Sequence, residues 1–205
     1  MSKGSVRREA PGGNTVTLDA HALGTLRYIR ASIDAARLLA VPGSAGVAMG
    51  SVGLLAAVLA AQPALTEHWL DIWLGAGIAA FLSGSALMIH QAMRAGSALY
   101  RGPARRFLLC LTPPLAAGAV ITLALWRHGA LDMIPGVWLL LYGCGVAAAS
   151  TQTIRLVGVM GFAFAGLGVC ALALPPNFGN LFLGAGFGGL HLAFGILIGW
   201  ARRER

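Results

Sequence analysis

From residue 41 onward the chain consists of six apolar runs separated by short polar stretches. The runs cover residues 41–62, 69–93, 107–126, 133–150, 154–174 and 178–200. Each is close to the ~20 residues that an α-helix needs to cross ~30 Å of hydrocarbon. The fourth and fifth runs are separated only by Thr151, Gln152 and Thr153, which predicts a tight antiparallel hairpin. The other connections, 63–68, 94–106, 127–132 and 175–177, are too short to hold a soluble domain.

Residues 17–40 follow a different rhythm. Leu26, Ile29, Ile33, Ala36 and Ala40 recur on one helical face, while Arg27, Arg30, Asp34 and Arg37 recur beside it. This spacing predicts an amphipathic helix lying on a membrane surface, opened by Thr17 and Asp19 and stopped by Pro42-Gly43. Its basic flank suits anionic lipid headgroups; packing on the protein's own loops is the alternative use of such a face. Residues 1–16 are polar, basic and glycine-containing, and are expected to form a disordered cytoplasmic tail. The first long apolar run starts too late for a secretory signal, so no cleavage is expected. The predicted architecture is therefore an all-α polytopic membrane protein. It comprises the tail 1–16, an interfacial helix 17–40, a six-helix transmembrane domain 41–200 and a basic cytoplasmic tail 201–205.

Composition sharpens this picture. Of 205 residues, 57% are hydrophobic and 11% charged, against about a quarter charged in soluble proteins. The 29 glycines read as sites of close helix approach, since small residues let backbones meet in a bilayer. A net charge of +8 could suggest nucleic acid, but the positions of the 15 basic residues argue otherwise. With the N-terminus in the cytoplasm, Arg127 alone falls on the far side, as expected of a bacterial inner-membrane protein with both termini cytoplasmic. Trp69, Trp73, Trp126 and Trp200 lie near run ends, where interfacial aromatics belong. Cys110, Cys144 and Cys170 sit singly in apolar runs, with no disulfide or zinc spacing.

A weak internal echo joins Pro42-Gly43…Gly50 to Pro135-Gly136…Gly143, and residues 77–87 to residues 161–172. Three helices per half would make this an inverted repeat of the transporter kind, although chance matches are common in so Gly/Ala/Leu-rich a chain.

Polar groups within the runs are few, and each is a candidate because hydrocarbon penalises it. His90, His191, Thr112, Ser83, Ser85 and Thr122 nearly complete the set, with His191, His90 and Thr112 the candidate binding residues. They form no recognised catalytic arrangement, metal set or nucleotide loop, and GFGG at 186–189 lies inside a transmembrane run. His90 and His191 lie at different depths, so they do not suit bis-histidine haem, and no cofactor is expected. Thr112-Pro113-Pro114 is expected to break the third helix and leave carbonyls free.

The sixth run carries no Asp, Glu, Lys or Arg. Gly184, Gly188, His191, Gly195 and Gly199 share one stripe, because their spacings are four, three, four and four. His191 should therefore face a neighbouring helix and find a polar partner there. The first run, with Gly46, Gly50, Gly53 and Ala57 in a matching stripe, is the expected neighbour. The third run, through its prolines, could supply an acceptor.

Residues 27–50 (RYIRASIDAARLLAVPGSAGVAMG) and 186–195 (GFGGLHLAFG) resemble a group of small multi-pass bacterial membrane proteins of uncharacterised function. The resemblance implies a bacterial inner-membrane location and brings no reaction, ligand or catalytic residue. A non-enzymatic membrane component fits these features first, with lipid or a membrane protein, including a second copy of the chain, as partner and no role for nucleic acid. A small transporter or channel is the alternative, and an enzyme acting on a lipid the third reading.

Overall fold

A computed structural model describes residues 23–27, 41–94 and 103–203. The chain divides into two compact units, Met1–Ala35 and Ala36–Arg205. In the first, residues 23–27 are helical with Leu23 and Leu26 exposed. The predicted tail 1–16 and most of the predicted interfacial helix 17–40 lie outside the described residues, as do the last two residues of the basic tail.

The second unit is built from six long apolar helices, and no strand occurs among the described residues. They are α1 (Gly43–Ala60), α2 (Trp69–Arg94), α3 (Pro103–Arg127), α4 (Ile134–Ala149), α5 (Arg155–Ala173) and a composite sixth span. The sixth span runs through α6 (Gly179–Leu183), a π-helical stretch (Gly184–Leu190) and α7 (His191–Arg203). Each crossing falls within a few residues of an apolar run, and the chain is an all-α polytopic membrane protein. Leu55, Ile78, Val120, Phe162 and Leu181 are among the many large apolar side chains left exposed on the outside. Such a belt would aggregate in water, but it is the natural surface of a protein solvated by lipid.

Glycines draw the helices into two close pairs. A methyl carbon on Gly46 would lie 2.8 Å from Gly195 Cα, and one on Gly53 2.5 Å from the Phe187 carbonyl oxygen. The first and sixth spans therefore meet backbone to backbone, as the matching stripes predict. In the second pair, α4 and α5, a methyl on Gly161 would lie 2.5 Å from Ala147 N and one on Gly168 2.5 Å from Leu140 N. Their connection, the 3₁₀ turn Ser150–Gln152, is closed by Thr153 N–H donating to the Ser150 carbonyl at 2.9 Å, giving the tight hairpin expected.

The two Pro-Gly segments make different close contacts: Gly43 and Gly50 meet the sixth span, whereas Gly136 and Gly143 meet α5, although α1 packs along α2 as α4 packs along α5. The expected break in the third span is absent, since α3 runs continuously through Pro113 and Pro114. Proline fixes φ within the helical range, so two in succession can prolong a helix at the cost of two donors. Pro114 has a packing role, because a methyl on Gly145 of α4 would lie 3.1 Å from its ring.

Spans four and six are the most buried, and spans two and three the least. α2 leans mainly on α1 and α3 on α4, and the two make at most marginal contact with each other. The gap between them leads to the candidate site.

Candidate functional site

His191 opens α7 and is 3% exposed, so it faces protein rather than lipid. Its partner is neither the first nor the third span. Nε2 lies 2.7 Å from the Tyr142 hydroxyl on α4, and Nδ1 lies 3.1 Å from the Phe187 carbonyl oxygen one turn earlier. A carbonyl can only accept, so Nδ1 carries the proton; in the neutral ring Nε2 then accepts from the Tyr142 O–H. The π-helical stretch makes this possible. The His191 backbone N–H is directed to the Gly188 carbonyl, which frees the Phe187 carbonyl from its regular helical partner to receive the imidazole. Glycines permit the widened turns to fit, since a methyl on Gly188 would lie 2.5 Å from the Leu54 side chain and one on Gly184 2.9 Å from Ala57 Cβ.

Aromatic rings wall in the pair. Tyr142 meets Phe164 edge-on with centroids 4.8 Å apart, Phe164 meets the His191 ring at 5.0 Å, and Phe187 stacks beside His191 at 6.1 Å. Phe164 is fully buried, so this cluster from α4, α5 and the sixth span is the centre of the bundle.

Two further polar links brace the outer spans. The Trp73 indole N–H of α2 donates to Asn180 Oδ1 at 2.9 Å, and Asn180 Nδ2 donates to the Ala57 carbonyl at 3.0 Å, tying three spans together. The Trp138 indole N–H of α4 donates to Thr122 Oγ1 of α3 at 2.7 Å, and Thr122 in turn donates to the Gly118 carbonyl at 2.6 Å. Tyr142, Asn180 and Trp73 were not among the residues that sequence reasoning singled out as carrying chemistry.

The remaining sequence candidates are scattered. His90 is exposed near the end of α2, away from the aromatic cluster. Thr112 is exposed on α3, with its hydroxyl donating to the Leu108 carbonyl at 2.9 Å. Ser83 likewise bonds back to the Ala80 carbonyl at 3.1 Å. Only His191 and Thr122 are drawn into the interior. Among the described residues no three His, Cys, Asp or Glu side chains stand close enough to share a metal ion.

Between α2 and α3 lies a cleft of about 740 Å³. Leu74, Ile78 and Phe81 form one wall and Leu115, Ala119 and Leu123 the other, while Trp138, Tyr142, Phe187 and His191 line its inner side. Along α2 it follows residues 70–82, about 18 Å of helix. Asp71 at its mouth is the single carboxylate among the described lining residues. Ile78, Phe81, Leu82 and Leu123 are at least half or nearly half exposed, so the cleft opens sideways, where lipid would be. The chain matches no family model, no curated protein and no solved structure.

Proposed function

We propose that this protein is a non-enzymatic membrane component that binds a lipid-soluble molecule from within the bilayer. The observation carrying this reading is the cleft, a cavity with apolar walls, open to the side and ending on a hydrogen-bonded tyrosine and histidine. Its volume lies within the ~300–1,000 Å³ typical of small-molecule sites. Transport of a hydrated solute is less well supported, because the apolar walls offer no row of polar groups to replace its water.

The basic residues favour a bacterial inner-membrane location with both termini cytoplasmic, and the basic flank of residues 17–40 favours anionic lipid there. Mass spectrometry of molecules retained by the purified full chain tests the binding reading. The wild type should keep an apolar molecule that a Gly77→Leu variant loses, since Gly77 lines the cleft and has open space where a side chain would project. Identical retained molecules in the two proteins would refute it.

A further inference from the structure

Hydrogen-bond bookkeeping at the inner side of the cleft restricts what can occupy it. The Trp138 N–H is spent on Thr122 and the Thr122 O–H on the Gly118 carbonyl. The Trp73 N–H is spent on Asn180. The His191 Nδ1–H is spent on the Phe187 carbonyl and the Tyr142 O–H on His191 Nε2. Every one of these side-chain donors is committed, and the remaining indole that lines the cleft, Trp126, stands exposed one residue before the end of α3, whereas a phenolic oxygen that donates once still has lone pairs to accept with. A ligand carbonyl reaching this wall would meet no free donor and would sit there desolvated and unpaired, at a cost of about 1–3 kcal/mol. A ligand hydroxyl would meet the Tyr142 oxygen.

Charge narrows the choice further. Tyr142 lies eight residues beyond the start of α4, about 12 Å along the helix, while Asp71 is the third residue of α2 and stands at the mouth. An ionised head at the depth of Tyr142 would have no opposite charge beside it.

We infer that the cleft takes a neutral, largely apolar molecule bearing a hydroxyl, whose O–H donates to the Tyr142 oxygen while its apolar body lies between α2 and α3. This inference rests on the proposed ligand-binding role and adds the chemical class of the ligand. The probes that test it are tritiated 4-nonylphenol and its methyl ether, 4-nonylanisole, which differ in the donor and one methyl group. Both are titrated against the full chain in lipid nanodiscs. The phenol should bind about tenfold more tightly than the ether, the upper size of one net hydrogen bond. Tyr142→Phe combined with His191→Leu, which removes both the phenolic oxygen and the Nε2 that the single change would bare, should bring the phenol to the level of the ether, and Gly77→Leu should abolish saturable binding of both. Equal affinities for phenol and ether in the wild type would overturn the hydroxyl assignment and leave the cleft as a site. Saturable binding undiminished by Gly77→Leu, or none by either probe in the wild type, would overturn the cleft reading itself.

Discussion

Replacing Gly161 with alanine tests how far stability depends on the close approach of α4 and α5. The added methyl would lie 2.5 Å from Ala147 N and 2.9 Å from both Ala147 Cα and the Gly143 carbonyl oxygen. All three atoms are backbone, so no side chain can swing aside, and the helices must separate by roughly 0.5–1 Å. A gap of that size forfeits about a quarter to a half of each contact worth ~0.1–0.2 kcal/mol. Over some fifty atom pairs, about the number made by one buried leucine, the loss is about 1–5 kcal/mol, with its centre at ~3 kcal/mol. Alanine's better helix propensity returns up to ~1 kcal/mol. A net loss of about 1–3 kcal/mol should appear as a lower midpoint in denaturing-detergent unfolding followed by circular dichroism. Gly166→Ala is the control, because it lies on the same helix with nothing within 4 Å of the new methyl. It should unfold no earlier than the wild type. If the two variants unfold alike, the glycine contacts do not hold this pair together.

His191→Phe should lower the thermal midpoint in detergent, because it leaves the Phe187 carbonyl and the Tyr142 hydroxyl without their partner, at about 1–3 kcal/mol. His191→Gln should recover part of that loss, and equal melting of the Phe variant and the wild type would remove the hydrogen bonds from the account. Asn180→Leu should cost about 1 kcal/mol and make the Trp73 indole more accessible to an aqueous quencher, since the bond to α2 is lost. Unchanged quenching would show that Trp73 is held by packing alone. For orientation, a reporter active only in the periplasm and fused after Arg205 should stay silent; activity would reverse the charge-based assignment.

The spans were legible because each apolar run ends in arginine, proline or a short polar turn, and the bilayer leaves helices few alternatives. The contact of the first span with the sixth was legible for a different reason: two glycine stripes of the same pitch complement each other. The partner of His191 was not legible. Tyr142 hides in an apolar run, and only its position four residues after Trp138 hints that one face of α4 carries two polar-tipped aromatics. Asn180 carries a clearer signal, an amide near the start of an otherwise apolar span. The π-helical stretch has no signature beyond its glycines, which equally suit a regular helix. The cleft lies further still from the sequence, since it arises where α2 and α3 fail to meet, and that depends on how every other pair has packed.

The pairing of the first span with the sixth also bears on how the protein is made. A chain synthesised from its N-terminus places α1 in the membrane long before the residues that cover it, so Gly43, Gly46, Gly50 and Gly53 must wait beside lipid until residues 187–199 arrive. The hairpin of α4 and α5 faces no such delay, because its two halves emerge one after the other. This pair of spans therefore closes only after the α4–α5 hairpin is complete. A product cut short after α5 would keep a complete hairpin, yet it would carry an uncovered glycine seam on α1 open to the seam of any other chain in the same membrane.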